Sequence, residues 1–110
     1  MNIQIFGKQK CFDTRKAERY FKERGIKFQR IDIIGVGMSR GELGSVKAAV
    51  GLDAMTDDKA AGAEVVKYLA YDADKEEKLY ENPEFIATPI VRNGKKATVG
   101  YCPDEWKFWE

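Results

Sequence analysis

Two cysteines and no histidine set the terms for any covalent chemistry in this chain. Without histidine there is no Ser-His-Asp or Cys-His arrangement and no imidazole general acid. A nucleophile must then be a thiol made reactive by lysine, arginine or a helix N-terminus. Two cysteines alone cannot close a zinc site, so no metal is expected, and they cannot build a secreted disulfide framework. Cys11 stands in Lys10-Cys11-Phe12-Asp13-Thr14-Arg15, after an alternating stretch and before an amphipathic one. At a strand-to-helix junction a thiolate faces unsatisfied backbone N–H groups and the positive end of the helix dipole. Lys8, Lys10, Arg15 and Lys16 add positive charge nearby in sequence, and all these influences lower a cysteine pKa. Thr14 could cap the helix or donate its hydroxyl to the sulfur, whereas Asp13 is an equally good N-cap that would oppose the effect. The alternative is a structural cysteine that fills a gap between strand and helix.

The elements that must position Cys11 are legible from periodicity. Ile3 and Ile5 alternate around Gln4, and the strand signal stops at Gly7. Thr14 to Arg24 reads as a helix, with Ala17, Tyr20 and Phe21 on one face and Gly25 as its C′ residue. A second strand, about Lys27 to Ile33, completes a βαβ unit with parallel strands and a right-handed crossover. Ser39-Arg40-Gly41-Glu42 is a capping box that opens a helix through Leu43, Val46 and Val50 to Gly51. Thr56 or Asp57 is predicted to cap a further helix over Ala60, Val65, Val66, Leu69 and Ala70, weakened by Gly62. Another helix is predicted from about Ala73 to Glu81, stopped by Asn82-Pro83. Ile86 to Arg92 reads as a strand, Asn93-Gly94 as a hairpin turn, and Ala97 to Tyr101 as the partner strand. Pro103 opens a terminal segment whose Trp106 and Trp109 are expected to dock on the body. The order predicts an α/β sandwich with a helical insertion. Its four-stranded mixed sheet belongs to one domain over residues 1–110, with core parts 1–34 and 84–110 around a helical insertion at about 35–83.

Bulk composition excludes several classes. At 110 residues, 44% hydrophobic and 34% charged, the chain fits one globular domain. Nineteen basic against eighteen acidic residues leave a net charge of +1, which gives no global field for nucleic acid or membranes. No apolar run approaches the ~18 residues of a membrane span, and the start is too short for a signal peptide. A cytoplasmic, reducing location is expected. Glycines 35, 37, 41 and 44 are followed by no lysine-serine or lysine-threonine pair, so no phosphate loop is present.

The chain resembles the arsenate-reductase-like family, which includes glutaredoxin-linked arsenate reductases and Spx-type transcription regulators. The resemblance lies in Cys11-x-x-Thr14-Arg15-Lys16-Ala17, Gly25-Ile26, Asp32 and Ser39-x-x-Glu42-Leu43. It resumes with Pro83-Glu84-Phe85-Ile86-x-x-Pro89-Ile90-Val91 and Ala97-x-Val99-Gly100-Tyr101, while 51–82 matches weakly. It implies the thioredoxin-like fold, with Cys11 as the nucleophile and Thr14 and Arg15 as catalytic neighbours. Thr88-Pro89 then carries a cis-proline rather than a mere edge residue, and Lys10, Thr88 and Pro89 receive a thiol partner.

Arginines that hold the oxyanion in arsenate reductases would occupy the positions of Thr88 and Tyr101, and a third would lie in the insertion, where only Arg40 is present. Guanidinium forks are not replaced by threonine or tyrosine, so arsenate is not the expected substrate. Nor is there a Cys-x-x-Cys, since Thr14 takes the second position. The expected activity is therefore a thiol-dependent oxidoreduction with no bound cofactor. Glutathione would be the co-substrate, or a glutaredoxin- or thioredoxin-type protein the partner. The alternative is a non-catalytic Spx-type regulator that binds RNA polymerase. Under the family topology Cys102 leaves the sheet at the same edge as Cys11 with one strand between, a gap of ~10 Å. It is either a buried, unreactive thiol or a resolving cysteine.

Overall fold

The structure, a computed structural model, describes residues 1–110. Strand β1 (Ile3–Gly7) leads into helix α1 (Phe12–Glu23) and returns as β2 (Phe28–Asp32). Helices α2 (Arg40–Val50), α3 (Leu52–Met55), α4 (Glu64–Lys67) and α5 (Asp72–Glu81) follow. A 3₁₀ turn at Pro83–Phe85 precedes β3 (Ile90–Asn93) and β4 (Lys96–Val99), and α6 (Pro103–Trp106) with a last 3₁₀ turn closes the chain. The sheet order is β2-β1-β3-β4. β1 pairs parallel with β2 and antiparallel with β3, and β3 pairs antiparallel with β4. This is the four-stranded mixed sheet of a thioredoxin-like sandwich.

Side-chain alternation along the strands divides the core in two. Ile3 and Ile5 of β1 and Val91 of β3 face α1 and the C-terminal segment, where they meet Ala17, Tyr20, Phe21, Trp106 and Trp109. Phe6 and Ile90 face the other way, against Leu43 and Val46 of α2, Met55 of α3, Val66 of α4 and Leu79 of α5. The register places Ile5 opposite Val91 and Phe6 opposite Ile90, so apolar residues meet apolar ones on each face, while Gln4 and Arg92 pair on the Phe6 face. The capping box is complete: Ser39 Oγ accepts from the Glu42 N–H at 3.1 Å, and Glu42 Oε1 accepts from the Ser39 N–H at 2.9 Å.

Three elements differ from the sequence reading. The helix predicted from Thr56 or Asp57 onward is reduced to the single turn of α4. Gly62 takes φ +87°, outside the helical region, and Thr56 is drawn into a bridge with Ile86 instead of capping. Backbone bonds from Asp57 N–H to Phe85 O at 2.7 Å and from Ala87 N–H to Met55 O at 2.7 Å hold this segment. The same bonds use up residues 85–87, so β3 begins at Ile90 rather than Ile86. β4 spans Lys96–Val99 and stops before Gly100, whose φ of +87° turns the chain and whose N–H donates to Pro89 O at 2.8 Å.

The C-terminal segment docks as expected through Trp106, which is fully buried, while Phe108 points into solvent. The Trp106 ring meets Tyr20 and Phe21 at 5.1 Å and Tyr101 at 5.6 Å, and its Nε1 donates to Thr98 Oγ1 at 2.8 Å. Replacing Trp106 by alanine is expected to cost about 3–5 kcal/mol, and a chain of this size then loses on the order of 15–30 °C of Tm. Thermal and denaturant unfolding of Trp106→Ala checks this. A loss below about 1 kcal/mol would show that the segment docks without carrying the core. No helix is long and apolar enough to cross a membrane.

Candidate functional site

One end of the sheet gathers the residues around Cys11. β1 runs into this end and turns through Lys8 to Lys10, and Cys11 is the N-cap residue of α1, with φ −89° and ψ 111°. The helix thus starts at Phe12, two residues before Thr14, and neither Asp13 nor Thr14 caps it. β3 is antiparallel to β1, so its start, and the Thr88–Pro89 bond before it, come to the same end. That bond is cis. The Cys11 Sγ–H donates to Thr88 O at 3.5 Å, which ties the two motifs together across 77 positions of sequence.

Cys11 is half-buried and free. Burial alone pushes its thiol up, but the Thr14 hydroxyl, the Thr88 side chain and the N–H groups of Thr14 and Asp13 together bring the pKa below the ordinary value. Those N–H groups are the orphan donors of the first helical turn. Thr14 itself is buried, and its Oγ1 has no acceptor at hydrogen-bonding geometry while Cys11 is a thiol. A deprotonated Cys11 sulfur would be an acceptor for that hydroxyl, which is the sense in which Thr14 lowers the pKa.

Gly7 explains how Thr14 reaches this place. A Cβ on Gly7 would stand 2.2 Å from Thr14 Cγ2, and threonine in a helix has little χ1 freedom with which to move aside. The close approach of β1 to α1 therefore depends on glycine at this position. A strand-ending glycine carries no other mark in a single sequence, which is why Gly7 reads there only as a stop signal.

The nearby cations do not converge on the sulfur. Lys8 Nζ donates to Glu84 O at 3.0 Å and pairs with Asp57 at 3.5 Å. Arg15 donates to Gln9 O at 3.4 Å and lies 5.8 Å from the Phe12 ring centroid. Lys16 lies 4.0 Å from Asp13 and 5.7 Å from the Tyr101 ring centroid. Arg40 is held by both Glu77 oxygens at 2.7 and 3.0 Å and stacks on Tyr80, far around the insertion. Hydrogen bonds, rather than these charges, lower the Cys11 pKa.

Above the thiol lies an open cleft of about 590 Å³. Lys10 and Thr88 line it with Cys11, and Asp57, Asp58 and Lys59 form the opposite side. This opposite wall was not legible in sequence, because a continuous helix was predicted there. No group of three or more histidine, cysteine, aspartate or glutamate side chains is placed to hold a metal ion.

Cys102 has a different environment. It too is free and half-buried, and its Sγ–H donates to Val99 O at 3.2 Å, packed against the aromatic core. Burial first, and then the carboxylates of Glu105 and Asp13, hold its pKa above the ordinary value against a hydrogen bond with Thr98. The two thiols should thus separate on alkylation. Cys11 is expected to react with a pH midpoint below the ~8.5 of a free thiol and Cys102 with one above it. Thr14→Val, which keeps the shape and removes the hydroxyl, should move the Cys11 midpoint upward. Iodoacetamide rates against pH in the single-cysteine variants Cys102→Ser and Cys11→Ser check both points. A Cys11 midpoint at or above the free value would reduce it to a packing residue.

No family model matches the chain. Among curated proteins it is 26% identical over 113 residues to the global transcriptional regulator Spx 2 of Oceanobacillus iheyensis, covering 96% of this chain and 81% of that protein. It is 27% identical over 119 residues to the uncharacterized protein YusI of Bacillus subtilis, covering 97% of each. Among solved structures, an arsenate reductase from Vibrio cholerae superposes with a TM-score of 0.82 at 23% identity, over 96% of this chain and 94% of that one. At that identity the likeness establishes the fold.

Proposed function

We propose that the chain is a distant relative of the arsenate-reductase-like proteins of the thioredoxin fold, Spx-type members included, and that it is a thiol-dependent oxidoreductase acting through Cys11. The observation that carries this reading is a cysteine at the N-cap of α1 with a lowered pKa, under an open cleft and against Thr88 O. The Cys11 thiolate attacks one sulfur of a disulfide R–S–S–R′. The Cys11–S–S–R bond forms, the S–S bond breaks, and R′ leaves as a thiolate that takes a proton from water. A second thiolate, from glutathione or from a glutaredoxin- or thioredoxin-type protein, attacks the R sulfur. A new external disulfide is released and the Cys11 thiolate is restored, so the electrons come from the second thiol. The first-turn N–H groups and the Thr14 hydroxyl stabilise Cys11 both as attacking and as leaving thiolate. Thr88 and Pro89 form the wall along which the thiol partner lies, with Lys10 at its edge. The whole chain acts as one thioredoxin-like domain in a reducing, cytoplasmic setting.

The second reading is a non-catalytic Spx-type regulator that binds RNA polymerase. It is favoured by the similarity to a protein named as a global transcriptional regulator. Glutathione-coupled reduction of a small mixed disulfide, beside capture of purified RNA polymerase, separates the two. Turnover dependent on Cys11 supports the first. Polymerase capture without turnover replaces it with the second.

A further inference from the structure

A second cleft, of about 400 Å³, runs between α1 and the C-terminal segment. Lys16, Arg19 and Arg24 of the α1 region and Lys107 of the terminal turn line it, with Tyr20 and Tyr101 as its aromatic part. One carboxylate, Glu23, shares the lining. Four cations against Glu23 in the lining and Glu110 beside Tyr20 leave an excess of positive charge that favours a negative ligand. The neighbouring acids neutralise them poorly: Lys16–Asp13 and Lys107–Asp104 both stand at 4.0 Å.

The arginines make the contrast clearer. Arg30 and Arg40 are paired with Glu18 and Glu77, Arg92 donates to Gln4 and Ser45, and Arg15 donates to Gln9 O. Arg24 is fixed over the Tyr20 ring at 3.7 Å and donates to Tyr20 O at 3.3 Å, which leaves its remaining N–H groups free. Arg19 alone has no ion pair, hydrogen bond or ring partner, and it stands exposed at the border of this cleft. Behind the cleft the Tyr20 hydroxyl is buried, with the Glu110 carboxylate beside it. Burial, with the Glu110 carboxylate close by, keeps that phenol protonated against the pull of Arg24.

We propose that this cleft is a binding site for a small phosphate monoester, its dianionic group held between Arg19, Arg24, Lys16 and Lys107 and its organic part against Tyr20 and Tyr101. Guanidinium forks match phosphate oxygens two at a time, and a dianion offsets more of the excess charge than a carboxylate does. The tyrosine rings give an aromatic ester an advantage over inorganic phosphate. Nothing in this site uses Cys11, so it stands or falls separately from the thiol chemistry.

The test is amide NMR of the intact chain titrated with phenyl phosphate, and separately with inorganic phosphate, in about 0.15 M salt to screen diffuse attraction. Saturable shifts confined to residues 16–24 and 101–107 are expected, with phenyl phosphate the tighter ligand. Arg19→Gln, which breaks no contact of the fold, should weaken binding at least about fivefold. Lys95→Gln with Lys96→Gln removes twice that charge at the hairpin tip and should leave binding within about twofold. Shifts centred on Cys11 and Thr88, shifts that never saturate, or an equal loss in the hairpin variant would each overturn the proposal.

Discussion

Cys11→Ser is expected to lower glutathione-coupled disulfide reduction by at least about a thousandfold, because a serine hydroxyl is not ionised near neutral pH and forms no exchangeable S–S bond. The fold should survive the change. Cys11 is only half-buried, and its side chain makes one long hydrogen bond, to Thr88 O at 3.5 Å. The serine hydroxyl can make that bond and can accept from Thr14, so the unfolding midpoint should stay within a few degrees, about 1 kcal/mol or less. The measurement is turnover of a glutathione mixed disulfide, with thermal unfolding of the same samples. Activity retained in Cys11→Ser would remove Cys11 from the mechanism. Thr14→Val should give a smaller loss, larger at neutral than at alkaline pH, since only the thiolate fraction changes. Cys102→Ser is the informative companion. If Cys102 is a packed thiol held by Val99 O, turnover is unchanged. A large loss would assign it the resolving role.

How much of this was legible in the sequence depends on the range of the interactions. The βαβ unit and the capping box are local, and each formed where its residues require. The hairpin formed as well, but its loop is Gly94-Lys95 rather than Asn93-Gly94, because Asn93 stays in β3 opposite Lys96. Ordering Cys11 and Thr88 at one sheet edge needed only the strand directions. The misread part, from Thr56 to Leu69, is the one whose conformation is decided at a distance. Residues 55–57 bond to 85–87, and that pairing, with Gly62 at positive φ, outweighs a helical propensity worth only tenths of a kcal/mol per residue. The site was misjudged in a similar way. Sequence proximity brought Lys8, Arg15 and Lys16 into the argument for a lowered pKa, but long side chains go to whatever partner folding supplies. Short groups fixed to the backbone, the Thr14 hydroxyl and two helix N–H groups, are the ones that stay at the sulfur.

The same placement predicts that arsenate is a poor substrate. Turnover of arsenate with glutathione and glutaredoxin is expected to be absent or very weak. Thr88 and Tyr101 stand where the resemblance places arginines, and Arg40 of the insertion is committed to Glu77 and Tyr80. Each missing charge-assisted hydrogen bond forfeits ~1.5–3 kcal/mol, so two amount to roughly two to four orders of magnitude in transition-state binding. The cations beside Cys11 make up little of this, since Lys8 is tied to Asp57 and Glu84 O and Arg15 to Gln9 O. Lys10 remains in the cleft as a point charge without a bidentate fork. Installing Thr88→Arg and Tyr101→Arg together should raise arsenate turnover at least about tenfold above the unmodified chain. The gain falls short of the full deficit because Thr88→Arg also removes a side chain that supports the Cys11 thiolate. Tyr101 is partly exposed, so its replacement should cost the fold little. Robust arsenate reduction by the unmodified protein would defeat the argument from charge. Failure of the double variant to gain, with its disulfide reduction intact, would show that the oxyanion needs a third contact that this insertion does not bring to the cleft.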